Sequence, residues 1–357
     1  MKKNLIGKIL LLLVLLNIPG YSEELRPYKL INSDKLIVIK IGDEHVTDLI
    51  GNVHFLYGTT EFYADSAKIL EKQKITKLFG NVKVFEDTLS LFAERAEYFR
   101  LSEKLILDEN VFIKEVHADS TFRTFESEHT EYIFEKQELT ATEDVHMFDE
   151  RENISGECGK LIYNGETGYG YLIKSPILIK HNPDSLTISA EKIEYFRDFE
   201  KVAANFDVRT FTEDFLITSD FLIVFNIESK AIFLGEPVFT NDISEANSKE
   251  FYLYFNEENI IKAEMIDDVR VDFKSEEGDA EYTNWVTSDI AEFFFEEGEI
   301  VKCIAEGITD TYFEQTKDKK NSRSNSSGNI LTIDIIDNEI TSISMKNKVV
   351  GTYFFEN

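Results

Sequence analysis

Apolar and polar residues alternate with a period of two along most of the chain after residue 22. Val, Ile, Phe, Tyr and Thr are frequent, and polar clusters such as Glu71-Lys72-Gln73 and Asn164-Gly165-Glu166 interrupt the alternation. This pattern is typical of β-strands that bury one face and are joined by turns. No long stretch has the 3.6-residue period of an amphipathic helix, so the pattern predicts an all-β chain.

Two short motifs alternate along this β-type sequence. The first motif is a polar pair, a β-branched residue and an apolar residue two positions later, as in Gly51-Asn52-Val53-His54-Phe55. The second motif is a small residue, usually followed by an acid, with apolar residues three and five positions later, as in Ala64-Asp65-Ser66-Ala67-Lys68-Ile69. The first motif occurs at Val53, Val82, Val111, Val145, Ile177, Val208, Val238, Val269, Ile308 and Val349, and the second at Ser33, Ala64, Ala93, Ser127, Gly156, Ala190, Ser219, Ser248, Ser288 and Gly328. The chain is therefore predicted to be built from ten repeats.

The spacing of the motifs predicts how each repeat folds. The step from a second motif to the next first motif is 18 to 21 residues, whereas the return step varies from 10 to 20. Segments between turns run about a dozen residues, long for one strand, and the small residue in the middle marks a place where a strand can bend. The repeat predicts two bent antiparallel strands per unit, which form two facing layers in an elongated body roughly 90 to 100 Å long.

One column of residues marks the predicted inner face of these layers. The residue five positions after the first residue of the second motif is apolar or aromatic in every unit, although only 43% of the chain is hydrophobic. The acidic residue of the second motif comes directly after the small residue at the bend, so its side chain is expected to point away from the interior and face water. The column comprises Val38, Ile69, Tyr98, Tyr132, Leu161, Tyr195, Val224, Leu253, Phe293 and Ile333.

Residues 1–22 resemble a secretory signal peptide. Lys2 and Lys3 precede an apolar stretch from Leu5 to Leu16, and Gly20-Tyr21-Ser22 forms a small-x-small cleavage site. An uncleaved membrane anchor is the alternative, but the apolar stretch is short for a membrane span. Residues 23–357 are then predicted to form one continuous β-domain, in which residues 316–329, rich in Lys, Ser and Asn, form a flexible loop of the last repeat.

Composition and spacing favour a protein without catalysis, cofactor or metal. With 38 basic and 67 acidic residues, the net charge of −29 disfavours binding to nucleic acid. The six His residues are scattered, and no zinc spacing, nucleophile elbow or phosphate-binding loop is present. Cys158 and Cys303 lie four repeats apart, about 40 Å by strand spacing, so both are predicted to be free thiols.

The repeats resemble the OstA/LptA family of lipopolysaccharide transport proteins over about residues 30–355. The resemblance rests on Gly80-Asn81-Val82-Lys83-Val84, Ala93-Glu94-Arg95-Ala96-Glu97-Tyr98 and Ala190-Glu191-Lys192-Ile193-Glu194-Tyr195. It implies an elongated, V-shaped and twisted antiparallel β-jellyroll that carries lipid A acyl chains in an apolar groove between the inner and outer membranes. It also implies a periplasmic location and, as a further expectation, association with the outer membrane.

The resemblance implies partners as well as a cargo. Lipopolysaccharide is the expected ligand. Other proteins of the same fold, namely an inner-membrane-anchored member and the N-terminal domain of the outer-membrane translocon, are expected to join end to end by β-augmentation. Head-to-tail self-association is possible by the same route, since the terminal strands are unpaired.

The inward apolar columns are the predicted lipid groove. An alternative interpretation of the same columns is a closed sandwich core in a structural or adhesive exported protein without a lipid ligand. An enzyme acting on an exported glycan is disfavoured. The groove residues are Val53, Phe55, Ile69, Val82, Val84, Tyr98, Val111, Ile113, Tyr132, Val145, Met147, Leu161, Ile177, Ile179, Tyr195, Val208, Val224, Val238, Leu253, Val269, Val271 and Phe293. A loss of apolar residues at Thr130, Gly159, Thr210 and Thr240 is expected to mark a thinner or wetter stretch.

Overall fold

A computed structural model describes residues 28–355 apart from 182–184, 243, 257–258, 275–281, 298, 318–319 and 337–338. The predicted signal peptide lies outside the described residues. Most described residues belong to one antiparallel sheet, which confirms the predicted fold class. Its strands are β1 (Tyr28–Asn32), β2 (Lys35–Ile41), β3 (Glu44–Tyr57), β4 (Thr60–Leu70), β5 (Ile75–Glu86), β6 (Leu89–Phe99), β7 (Lys104–Val116), β8 (Phe122–Ile133), β9 (Glu138–Asp149), β10 (Ile154–Asn164), β11 (Tyr169–Ile173), β12 (Ile177–Lys180), β13 (Leu186–Ser189), β14 (Lys192–Phe196), β15 (Lys201–Phe211), β16 (Phe215–Phe225), β17 (Lys230–Leu234), β18 (Val238–Asn241), β19 (Ser244–Asn247), β20 (Glu250–Phe255), β21 (Ile260–Lys274), β22 (Tyr282–Glu296), β23 (Glu299–Lys317), β24 (Lys320–Ile336), β25 (Glu339–Lys346) and β26 (Val350–Phe355). Short 3-10 turns occupy Phe134–Lys136 and Arg197–Phe199.

Most first motifs form a β-bulge at which the strand bends, whereas at Lys174-Ser175, Gly235-Glu236 and Asn347-Lys348 the strand is interrupted. In β3 and β4, Ile50 pairs with Ser66 and Val53 pairs with Ala64, so three steps on one strand lie opposite two on the other. The extra residue is accommodated by consecutive left-handed residues, for example φ +75° at Gly80 and +47° at Asn81. Gly and Asn tolerate this conformation best, which explains why they recur at the motif.

The second motif closes the corner from the neighbouring strand. The Asp65 carboxylate accepts a 2.9 Å hydrogen bond from Asn81 Nδ2 and covers the Cα of Gly80. A Cβ at residue 80 would lie only 2.4 Å from Asp65 Oδ2. Asp34 covers Gly51 in the same way. The acid and the glycine are therefore complementary parts of one corner, which accounts for their fixed spacing along the chain.

The corners divide the sheet into two facing layers. Layer A contains the segments that follow a second motif, such as 66–79 and 95–108, and layer B contains those that follow a first motif, such as 53–64 and 82–93. Phe62 of layer B packs on Tyr98 of layer A with ring centroids 5.1 Å apart, so the inner faces are in contact. The described core forms three successive clusters, spanning 49–172, 188–291 and 286–333.

Residues 316–317 and 320–329 lie in strands, contrary to the sequence-based prediction of a loop. They belong to β23 and β24, on either side of residues 318–319, which lie outside the described residues. β24 is paired on one side with β23 and on the other with β26. Ser and Asn are common in turns, but pairing on both sides satisfies their backbone groups in an extended conformation.

Candidate functional site

The interior between layers A and B is the candidate site, and the sheet register defines the rows that face it. In layer A, one row of directly opposed residues runs across the strands from Ile69 to Thr76, Tyr98, Leu105 and Tyr132. Because opposed residues share a face, the predicted column of fifth residues becomes a continuous inward row. A matching row in layer B passes through Phe55, Phe62, Val84, Leu91 and Ile113.

In the first core cluster these inward residues are sealed from solvent. Val84 and Ile113 of layer B and Leu105 of layer A have no exposed surface. The predicted groove residues in this cluster that are buried are Val53, Phe55, Ile69, Val82, Val84, Tyr98, Val111, Ile113, Val145 and Leu161, and those that are partly buried against it are Tyr132 and Met147. Between residues 49 and 172 the interior is therefore a filled core rather than an open groove.

The second core cluster is less completely covered. Val208 and Val269 are buried, but many inward residues of this cluster retain some exposure. The predicted residues that are only partly buried here are Tyr195, Val224, Leu253, Val271 and Phe293. Apolar side chains that line an incompletely closed interior are accessible to an apolar ligand, in contrast to those of the first cluster.

The predicted inward positions Ile177, Ile179 and Val238 are wrong by one residue. In β12 it is Leu178 that packs on the second cluster, so Ile177 and Ile179 lie on the outer face. Val238 is opposed by Asn247, which is exposed, whereas the next residue, Phe239, packs inward.

Proline at the corner caused this error. The left-handed pairs are Lys174-Ser175 and Gly235-Glu236, so the position taken by valine in other repeats holds Pro176 and Pro237, both buried. The sequence pattern places the motif on the β-branched residue after the proline, one position too late. A shift of one residue assigns every side chain of the strand to the opposite face of the sheet. Thr240 lies on the same face of the strand as Val238. It therefore points outward, and it does not mark a polar position in the interior.

Two members of the fifth-residue column also depart from the expectation. Val38 is 60% exposed because β2 lies at the end of the sheet, where no further strand covers it. In the fifth repeat Val145 is opposed by Cys158, so the corner residue is Cys158 rather than Gly156. The row then passes through Tyr163, and Leu161 lies one row closer to the corners on the same inner face.

Aromatic side chains close the side of the interior opposite the corners in the first repeats. The Tyr57 and Tyr98 rings are 5.5 Å apart across the two layers, and Tyr98 packs edge-on against Phe134 at 6.1 Å. The Tyr28 hydroxyl of layer B is hydrogen-bonded to Thr76 of layer A, and Arg100 lies over the Tyr28 ring at 4.8 Å. Burial raises the pKa of Tyr28 to about 12, so its hydroxyl stays neutral at physiological pH.

A buried charged cluster ties the two layers together near the middle of the chain. Arg123 in layer B donates hydrogen bonds to Asp149 at 2.8 and 2.5 Å, and a 2.7 Å bond to the hydroxyl of Tyr163 in layer A. Burial alone would lower the pKa of Arg123, but Tyr163 and Asp149 raise it above its ordinary value. We call Arg123, Asp149 and Tyr163 the interlayer tie. The sequence indicates this cluster, because Arg123 and Asp149 are two residues from Phe125 and Met147 and so lie on the same inward face of their strands.

Small polar residues replace apolar ones along layer B in the later repeats. Thr210, Thr311 and Ser326 are buried at positions equivalent to Phe55 and Val84. Thr311 Oγ1 and Ser326 Oγ are 2.9 Å apart and hydrogen-bonded. In layer A, Thr130 is likewise buried and is bonded to Ser127 at 2.7 Å. Thr130 and Thr210 are both buried at inward positions, so the lining is smaller and more polar at these two residues.

The described residues contain no grouping suited to metal binding, and no described helix is long and apolar enough to cross a membrane. Cys158 and Cys303 are free thiols, as predicted. Burial raises the pKa of Cys158 to about 11 and that of Cys303 to about 12, so neither is an activated nucleophile.

Comparison with known proteins supports the resemblance found in the sequence. The family model described as OstA-like protein matches residues 28–133. This segment comprises β1 to β8 and most of the sealed first cluster. The OstA-like family is a transport and carrier family of β-fold proteins related to lipopolysaccharide transport, periplasmic in general. No curated protein matches the chain.

Proposed function

We propose that this chain, whose residues 28–133 match the OstA-like family, is a periplasmic carrier that shields lipopolysaccharide acyl chains between its two layers. The observation that carries the proposal is the second core cluster, where inward side chains such as Leu253 and Phe293 are apolar but incompletely covered. Each methylene of an acyl chain moved there from water gains about 0.8 kcal/mol. In this proposal, the sealed first cluster provides stability and the later repeats receive lipid.

The same proposal gives the two ends of the body a role in assembly. β2 exposes Leu36, Val38 and Ile41 at one end, and β26 exposes Val350 and Phe354 at the other. Exposed apolar edge strands recruit further strands by β-augmentation. Proteins of the same fold, or a second copy of this chain, are the partners we propose at these edges.

The filled first cluster favours a second candidate function. Side chains without exposed surface, such as Leu91 and Leu107, bind nothing unless the layers separate. If the whole interior behaves in this way, the chain is an exported structural protein, and only its surfaces and ends engage partners. The two functions differ in what touches the inward residues of the second cluster.

Photo-crosslinking in cells that make lipopolysaccharide tests the proposal. A benzophenone amino acid at Leu253 or Phe293 is expected to yield lipopolysaccharide adducts. At the neighbouring outward positions Tyr252 and Glu292 it is expected to yield none, which provides matched controls on the same strands. At Val84, in the sealed cluster, few adducts are expected. Equal yields inside and outside, or no adducts at any inward position, would reject the carrier and leave the structural alternative.

A further inference from the structure

The apolar core is interrupted at the boundary between the first and second clusters. The first cluster ends at Leu172 and the second begins at Ile188. At this level both inward rows contain glycine: Gly170 lies between Tyr163 and Tyr195 in layer A, and Gly156 is opposed by Met147 in layer B. Gly170 lines a cavity of about 50 Å³ at this level, and Met147, the partner of Gly156, lines it as well.

The chemistry of this junction cavity points to an aliphatic ligand. The surface that it exposes is almost wholly apolar, and its walls include Leu161, Leu172, Leu178, Ile193 and Val202. Its volume exceeds what one water needs, but a water in it would lack hydrogen-bond partners. An apolar cavity of this kind stays dry and accepts small apolar groups. The space is too small for a protein side chain with its backbone but suits the end of a polymethylene chain.

One wall of the cavity is adaptable and its rim is polar. The Met147 Cγ lies 2.8 Å from where a Cβ of Gly156 would be, so the flexible thioether leans into the space that glycine leaves. The interlayer tie, with Arg123 and Asp149, borders the same cavity. An occupant can therefore enlarge the space by moving Met147.

We propose that the junction cavity binds the end of a single acyl chain. This inference rests on the proposed carrier function and adds the position at which one chain end is held. From this point the acyl chain reaches the less covered second cluster, because Leu178 and Ile193 belong both to the cavity wall and to that cluster.

Binding of cis-parinaric acid, whose fluorescence rises in an apolar site, tests the inference on the full chain. Leu178→Trp fills the cavity and is expected to weaken binding roughly tenfold or more, since each buried methylene contributes about fourfold. Ile177→Trp, one residue away on the outer face, is the matched control and is expected to change binding less than twofold. Met147→Ala enlarges the cavity and is expected to strengthen binding severalfold.

The outcomes separate this inference from the carrier function itself. If Leu178→Trp and Ile177→Trp bind the fatty acid equally, while adducts still form at Leu253 and Phe293, the junction-cavity site is wrong and the carrier stands. If neither the fatty acid nor lipopolysaccharide binds, both fail. Should Leu178→Trp not fold, Met147→Ala decides the question, because unchanged or weaker binding in that variant overturns the inference.

Discussion

The interlayer tie gives the sharpest test of how the two layers are held together. The side chains of Arg123 and Asp149 are 7% and 6% exposed, so replacing Asp149 leaves the buried Arg123 charge with only the Glu115 carboxylate, 3.9 Å away. Breaking a buried ion pair in this way costs about 3–5 kcal/mol. Asp149→Ala is therefore expected to destabilise the repeats around β8 to β10 by that amount. Tyr163→Phe, which removes one hydrogen bond to a charged group, is expected to cost about 1.5–3 kcal/mol.

Hydrogen–deuterium exchange is the appropriate assay because repeats of this kind contact mainly their neighbours and open locally. A loss of 3–5 kcal/mol corresponds to exchange roughly 150- to 4000-fold faster in peptides from β8 to β10. Peptides from β4 and β5, several strands away, serve as an internal control and are expected to exchange unchanged.

An apolar replacement of the whole tie separates charge burial from simple loss of contacts. Replacing all three residues by Arg123→Met, Asp149→Leu and Tyr163→Phe leaves no unpaired buried charge, and such replacements are often neutral or stabilising. The triple variant is thus expected to exchange more slowly than Asp149→Ala. Exchange in Asp149→Ala at the rate of the unaltered protein, or a triple variant as labile as the single one, would refute the reasoning.

Three further predictions concern the core, the corners and pH. Phe62→Ala, at a side chain with no exposure, is expected to cost about 3–5 kcal/mol, against about 0.5 kcal/mol or less for Phe206→Ala at a ring that is 54% exposed; equal losses in urea unfolding would contradict the sealed core. Gly80→Ala is expected to cost about 2 kcal/mol at φ +75°, and less in an Asp65→Ala background, where the clash with the carboxylate is absent; additive losses in that double-mutant cycle would argue against the corner contact. Because burial raises the pKa of Tyr28 to about 12, the folded state keeps a proton that the unfolded state releases near pH 10, so stability is expected to fall between pH 10 and 12. Tyr28→Phe should reduce that fall, and an unchanged pH profile would contradict the assignment.

The repeat predicted the fold well because its signals are local. Alternation identifies strands, and the pair Gly80-Asn81 with Asp65 identifies a corner, since bulge and acid lie within a short span of the chain. Where the corner holds Pro176 or Pro237, the same local reading assigned the wrong face. The β-branched residue that follows a proline mimics the motif, and one residue of slip inverts the strand.

Features that depend on how the layers approach each other could not be predicted from the repeat. Whether the interior is filled depends on the distance between the layers, to which Phe62 and Tyr98 contribute from different repeats. Arg123 and Tyr163 are 40 positions apart and meet only across the layers. The glycines at 156 and 170 indicate the position of the cavity only when both inward rows are known. Periodicity assigns a face but gives no information on what lies opposite.

The antiparallel pairing of nearly every strand with its immediate successor bears on how the chain reaches its folded state. Apart from the corners, where strands are interrupted, β3 to β10 each pair with the next strand along the sequence. Contacts that are local in sequence form quickly, and linear repeats propagate from any nucleus. A chain delivered from one end can therefore add hairpins in the order in which they emerge, and at each stage the unpaired edges are confined to the first strands and the most recently added one.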